Sequence, residues 1–514
     1  MTGWNPDWEV LARAIDGEVL VRGAPAYELA RKRALARFHD RRPQAVVLAT
    51  TAADVAETIR FARRFGLRTT PRSGGHCFAG RSSNGDIVID VTPMSTVSIA
   101  NGVATVGAGA RLGDLYDALE GHDRTIPAGT SPTVGIAGLT LGGGLGLLGR
   151  MYGLTCDHLL RARVVLADGR VVECAEAGCD EDHRADLFWA LRGSGGGQLG
   201  VVTSLMFSTV PAPTSTCFHL VWSPVRAVAV IDAWQAWAPA APDELDATLR
   251  LTASGDDASP VVNLLGVMHG TEADTARLLD EFVSMVSARP TSEFRRRMPY
   301  REAQRHLAGL GSIDTGRDRP QPGHEFSKSE FFRRPLPRHA ITALLDSLAS
   351  GCGPGQSREL NFTPWGGAYT RVPGDATAFA HRDELFMVEH VLVVDADAPS
   401  AVGAAAHDWL TRSWTALHPW GSGRVYPNFP DPDLDDWAEA YHGSNYDRLV
   451  RVKRKYDPDD WFRFPQSIGG QGSRGTRRAD SSAGDLGRAP AAPTSGLTTP
   501  EGSRRAHESE GREE

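Results

Sequence analysis

Apolar residues recur along this chain in two rhythms, and each change of rhythm marks an element. From Ala53 to Phe65 (ADVAETIRFARRF) they return every three or four positions. Thr51 stands where a cap belongs and Gly66 where a helix ends, so the stretch predicts an amphipathic helix. Asp86 to Val91 (DIVIDV) and Val103 to Val106 predict short strands, and Leu112 to Leu119 a helix. Two apolar runs, Val164 to Ala167 and Val171 to Cys174, flank Asp168-Gly169 and predict a hairpin. A short helix follows at Asp186 to Leu191 and a strand at Val201 to Val210. Glycine crowds the connections at Arg72 to Gly85, Gly129 to Gly153 and Gly193 to Gly200. Small βα units with glycine-rich links therefore fill residues 43–212, a layered α+β domain behind an N-terminal helical segment over 1–42.

Pro211-Ala-Pro213 interrupts the pattern. Beyond it the periodicity predicts longer helices at Val225 to Trp237, Glu272 to Val286, Arg338 to Ser350 and Ser400 to Leu417. They alternate with strands such as Val261 to Met268 and Leu385 to Val394, which fits helices covering one face of an antiparallel sheet over 213–425. A polar, aromatic-rich segment with two helices runs from Tyr426 to Ile468. Its Arg448 to Lys455 (RLVRVKRK) predicts a helix that buries Leu449 and Val452 and leaves its charges in solvent. The Arg/Asp-rich Gly316 to Pro322 predicts a solvated loop. Residues 469–514 hold almost no large apolar side chain and predict a disordered tail, since little burial offsets the entropy of ordering.

Composition narrows the class. The chain has 514 residues, too many for a single core. A formal charge of −8 offers no basic surface for nucleic acid or anionic lipid. No apolar run reaches membrane-spanning length, and Met1 to Val10 lacks the basic start and apolar core of a secretory signal, so a cytoplasmic protein is expected. Cys77, Cys156, Cys174, Cys179, Cys217 and Cys352 form no CxxC pair and read as unpaired thiols, not as a disulfide or metal framework.

Chemistry enters with the glycine clusters. In Arg72-Ser73-Gly74-Gly75-His76 the glycines free the backbone to take positive φ and turn its N–H groups toward an anion such as a pyrophosphate. The run from Gly135 through Gly138, Gly142, Gly143 and Gly144 to Gly146 is too glycine-dense for a helix and too apolar for a solvent loop. It suits backbone lying flat on a large planar ligand. Gly193 to Gly200 then opens into a strand. No Walker loop is present, and the glycine runs miss the strand-to-helix setting of the GxGxxG fingerprint.

The ordered set RSGGH, GTSPTVGIAGLTLGGGLG, YGLTCD, GSGGGQLGVVT, YPNFPD and RLVRVKRKYDPDDWF resembles the berberine-bridge-enzyme-like branch of the vanillyl-alcohol-oxidase flavoproteins, over about residues 40 to 468. The resemblance implies a PCMH-type FAD-binding domain of two α+β subdomains and a substrate domain whose sheet roofs the flavin. It implies FAD bonded to His76, held by Arg72, Ser73, Gly74, Gly75 and Gly80 and by Ser131, Val134, Gly135, Gly138, Gly143 and Gly144. Gly200, Val202, Tyr426 and Asn428 complete the set. Bicovalent relatives carry a cysteine where Ser131 stands here, so a single histidyl linkage is expected. Neither Cys77 nor Cys156 takes that place. Val134 matches a position where a small residue admits oxygen to the flavin.

A base is also required. The place of a common family tyrosine is Phe429, which cannot act as one. Glu389 matches a family glutamate on a substrate-domain strand, and its apolar surroundings predict a raised pKa suited to a general base. Met387, Glu389 and Val391 share one strand face, His390 the other. Tyr426 is the reserve. Trp365, in Trp365-Gly-Gly-Ala, reads as a strand-end residue near the site or as core. An FAD-dependent oxidase of a sugar or natural-product alcohol or amine is expected, with oxygen as partner and a monomer or homodimer as its state. A dehydrogenase, a monooxygenase-like enzyme and a non-catalytic flavin-binding protein remain open alternatives.

Overall fold

Nine short strands up to Ser208, most of them buried, form two sheets. In the computed structural model, residues 6–470 are described except 33, 177–183, 256 and 311–322. Expectations for Cys179, for the 316–322 loop and for the tail from 471 onward lie outside the described residues. The first sheet joins β1 (Glu18–Val21), β2 (Ala45–Leu48), β3 (Thr69–Arg72) and β4 (Ile87–Asp90) in the order β1-β2-β4-β3. β4 runs parallel to both β2 and β3. Between β2 and β3 lies the predicted helix α1 (Ala52–Phe65), opened by a capping box of Thr51 with Asp54 and closed by Gly66 in the left-handed conformation. The helical reading of residues 1–42 needs correction. Short helices occur at Trp8–Ala14 and Pro25–Arg31, but β1 pairs antiparallel with β2 because Leu20 buries against Val46 and Val88.

The second sheet holds β5 (Val97–Ala100), β6 (Val103–Gly107), β7 (Leu159–Val165), β8 (Val171–Ala175) and β9 (Val201–Ser208), all antiparallel, in the order β5-β6-β9-β7-β8. Val165 faces Val171 across the predicted hairpin. Helices α2 (Leu112–Glu120), α3 (Ile136–Leu141) and α4 (Ala185–Leu191) join both sheets in one apolar core.

The chain beyond Pro213 carries the third sheet, of seven antiparallel strands. They are β10 (Thr214–Trp222), β11 (Leu245–Ser254), β12 (Asp257–Met268), β13 (Ser292–Pro299), β14 (His324–Phe332), β15 (Gln356–Pro364) and β16 (Phe386–Val394). Their order is β13-β10-β12-β11-β15-β16-β14. Side chains alternate between its two faces. Leu249, Leu264, Leu360, Phe362, Val388 and Leu392 bury under α5 (Ala227–Trp237), α6 (Glu272–Val286), α8 (Arg338–Ala349) and α9 (Ser400–Leu417); α7 (Tyr300–Gly309) follows β13. The other face turns toward the glycine-rich loops, for Met387 and Phe331 pack there with Leu154 and Tyr426, and Leu265 and Val267 with Leu147 and Leu148. It is polar at its centre, with Arg250, Asn263, Asn361 and Glu389 in register.

The chain returns to the first domain through α10 (Trp437–His442) and α11 (Tyr446–Tyr456). Leu449 and Val452 are buried as expected, but Lys453 is buried too. Its ammonium donates to Gln198 O, Phe462 O and Asp457 Oδ2, which satisfies a charge that solvent does not reach. Arg448 lies over the Trp189 ring. No described helix is long and apolar enough to cross a membrane.

Candidate active site

The three glycine clusters meet. β3 delivers Arg72 to His76, and this loop lies on the second cluster so closely that a Cβ at Gly74 would stand 2.3 Å from Gly135 N. Close approach therefore explains Gly74, while Gly75 alone of the pair takes positive φ, at 77°. The Ser73 hydroxyl donates to Ala108 O at 2.8 Å. The Arg72 side chain serves the fold. The buried guanidinium is committed to Asp90 Oδ2 at 3.0 and 3.1 Å and to Ala30 O at 2.6 Å, tying the strand to the N-terminal segment. His76 Nε2 stands 3.0 Å from the Thr133 hydroxyl. Burial, reinforced by Arg111, lowers the His76 pKa and keeps the ring neutral.

Gly135 to Gly146 also departs from expectation, since it opens with helix α3. Gly135 and Gly142 occupy the cap positions, so only Gly138 lies inside, and Ile136, Ala137, Thr140 and Leu141 anchor the turn in the core. A Cβ on Gly138 would meet nothing within 4 Å, and the residue is exposed. Leu141 O accepts from Gly193 N and Gly195 N at 3.1 and 2.8 Å, which seats the third cluster beside it. His76, Gly138 and the half-buried Gly196-Gly197 thus border one bare strip of backbone. A flat nucleotide cofactor fits it. Ser131 is exposed and Val134 half-buried on the same loop. Gly80, Gly143 and Gly200 pack instead on Phe38, Phe379 and Val164, and the Val202 side chain is core; these four support the loops.

The C-terminal segment clamps this floor. The Tyr426 hydroxyl accepts from Gly144 N, Leu145 N and Asn428 Nδ2 at 3.0, 3.2 and 3.0 Å, and Asn428 Nδ2 also reaches Leu139 O at 2.9 Å. Tyr426 is buried and its pKa is pushed up to about 12. That geometry makes it a brace for the loop. Cys156 is buried with its thiol pKa raised, and Trp365 is core, stacked on Tyr369.

Above lies the polar sheet face. Glu389 Oε1 accepts from the Ser327 hydroxyl at 2.7 Å and Oε2 from Asn361 Nδ2 at 3.5 Å. Burial, with the neighbouring Glu359 and Glu325, lifts its pKa to about 8 against those two hydrogen bonds. Asn361 also donates to Glu359 at 2.7 Å and accepts from Arg250 Nε at 3.1 Å. His390 faces the opposite way, onto Ser413 of α9 at 2.9 Å. Ser327, Glu359, Asn361 and Arg250 were not legible as site residues, since they stand on three strands other than that of Glu389. The polar alternation of Glu359, Asn361 and Thr363 in QSRELNFTP is the signal that marks the face of the first two.

Comparison with known proteins agrees with this arrangement. An FAD binding domain model matches residues 43–175, and a model described as berberine and berberine like matches 425–469. The chain is 32% identical to the uncharacterized FAD-linked oxidoreductase YvdP of Bacillus subtilis, over 88% of this chain and 98% of that one. It is 28% identical to reticuline oxidase of Eschscholzia californica, over 83% of each chain. The solved structure of Physcomitrella patens BBE-like 1 superposes with a TM-score of 0.79 at 28% identity, over 90% of this chain and 98% of that one. Glycine loops, clamp and sheet thus share their order and their fold with known flavoproteins, and the chain belongs to the berberine-bridge-enzyme-like FAD-linked oxidoreductases.

Proposed function

We propose that the protein is an oxidase of a small organic molecule, a sugar or a natural-product alcohol or amine, with FAD bonded to His76 and oxygen as the electron acceptor. The carrying observation is Glu389, a carboxyl with its pKa near 8 on the polar sheet face that looks toward the glycine loops. Bound FAD supplies the hydride acceptor and the route of electrons to oxygen, giving hydrogen peroxide. Glu389 takes the substrate proton as its carboxylate and holds it at Oε1 or Oε2, while Asn361 and Ser327 fix the orientation of the group. His76 is held by Thr133, and its lowered pKa keeps the imidazole neutral, the form that can act as nucleophile for the flavin linkage. The Ser131 hydroxyl is too weak a nucleophile for a second bond. Val134 and a relative named as an oxidase support oxygen as acceptor.

Anaerobic titration of the holoenzyme with a panel of sugars, alcohols and amines tests the reading. One class should bleach the flavin, and air should restore the colour with stoichiometric peroxide. Bleaching without peroxide would make the enzyme a dehydrogenase. A flavin that no reductant in the panel bleaches would remove the catalytic reading.

A further inference from the structure

We propose that Ser327 is the exit for the proton that Glu389 collects, passing it around the edge of the seven-stranded sheet to water in a cavity behind it. The proposal rests on Glu389 acting as the base. β14 is the last strand of its sheet, so the side chain of Ser327 stands at a border. Its hydroxyl is the closer of the two hydrogen-bond partners of Glu389, 2.7 Å against 3.5 Å for Asn361. The amide N–H of Asn361 donates only, and its oxygen is taken by Arg250, whereas a hydroxyl accepts one proton as it gives another.

Ser327 also lines a cavity of about 80 Å³ together with Phe326, Lys328, His407, Leu410 and Asp433. Phe326 and Lys328 occupy the strand face opposite Glu389, and His407 and Leu410 belong to α9, so the cavity lies round the sheet edge from the substrate side. Its rim reaches solvent, since the side chains of His407 and Asp433 are 44% and 54% exposed. A water needs roughly 10–15 Å³ of such space, so several fit.

The charges around the path do not block it. Lys328 in the cavity wall is neutralised by Asp431 at 2.7 Å and Asp433 at 2.8 Å. Glu325 on β14, Glu359 on β15 and Arg250 on β11 stand on the Glu389 side, and Arg37, stacked over Phe326, lines the cavity with its charge opposed by Glu325 and Asp433. In the step, the O–H bond of the Glu389 carboxyl breaks as a new O–H bond forms at Ser327 Oγ. The original Ser327 proton leaves for a cavity water and then bulk solvent. A carboxylate and an intact hydroxyl remain, and no electron moves.

The test times the deprotonation of Glu389 in holoenzyme. Protein at about pH 6 is mixed to about pH 9.5, on either side of the Glu389 pKa of about 8, and the infrared band of its protonated carboxyl is followed. Absence of the band in Glu389→Gln assigns it. Wild type and Ser327→Thr should lose the band together. Ser327→Ala should lose it more slowly by roughly a hundredfold, the lower end of what a positioned proton carrier contributes, with the same final amplitude. His407→Trp, which plugs the cavity without touching Glu389, should slow it with Ser327 intact; the proposal requires both effects. A Ser327→Ala variant as fast as wild type, or one whose midpoint moves while its rate does not, overturns the relay. If no Glu389-dependent band titrates in wild type, the base assignment itself fails, and the relay with it.

Discussion

Glu389 and His76 are moved in opposite directions by the same burial, because it penalises charge in both: the carboxyl is held protonated and the imidazole neutral. Each consequence is measurable. The rate of anaerobic flavin reduction should climb with pH through about 8, where Glu389 becomes a carboxylate, and then level off. Glu389→Gln should lower that rate by about a hundred to ten thousandfold and abolish the pH limb, while the flavin stays bound. Stopped-flow bleaching checks both, and a loss of less than about threefold, well below the usual range for a general base, would reassign the role. For His76 the check is acid precipitation. The wild-type pellet should stay yellow and the His76→Ala pellet should not.

At the scale of elements, single buried side chains join segments far apart in the chain. Lys453 is the clearest case, an α11 residue whose ammonium holds Asp457 at 2.6 Å and the carbonyl of Gln198 beside the third glycine cluster at 2.8 Å. Lys453→Met leaves the buried Asp457 carboxylate with the N–H groups of Trp461 and Phe462 but without its counter-ion, which costs about 3–5 kcal/mol. Thermal unfolding should show a clear drop in Tm, and the double variant Lys453→Met/Asp457→Asn should recover much of it. A single variant as stable as wild type would show that α11 is held by its apolar stripe alone. Helix α3 teaches a related lesson. Glycine density argued against a helix there, yet two of its glycines only cap the ends, and the apolar residues between them decide the outcome.

For the molecule as a whole, buried titratable groups shape the dependence of stability on pH. His381, His390 and His442 are buried with pKa lowered from 6.5 to about 3, so the stability they contribute is full above 6.5 and is lost as pH falls toward 3. Glu389, Glu330 and Asp246 are raised to about 8, 7 and 7, so their contribution is full at low pH and is lost as pH rises through those values. The two sets oppose each other between about 4.5 and 6.5, and only the carboxyls act above that window. Tm should therefore be highest in the window and fall from about 6.5 to 8. Glu389→Gln should fall less over that interval. An equal fall in both proteins would show that Glu389 is not raised.

Periodicity determined the helices and strands almost everywhere, because burying one face of an element imposes a repeat that can be read locally, as in α1, α6 and α9. Motif order determined the family, and the apolar strand around Glu389 determined that its carboxyl would be perturbed. Tertiary structure alone decided what each group touches. The motif named Arg72 but not the Asp90 carboxylate that takes its guanidinium, and Tyr426 stood as a reserve base until three donors converged on its hydroxyl. Ser327, Asn361, Glu359 and Arg250 lie on β14, β15 and β11, far from Glu389 in the chain. The physical reason is register: hydrogen bonding between strands sets which side chains stand opposite one another, and no local pattern encodes that choice.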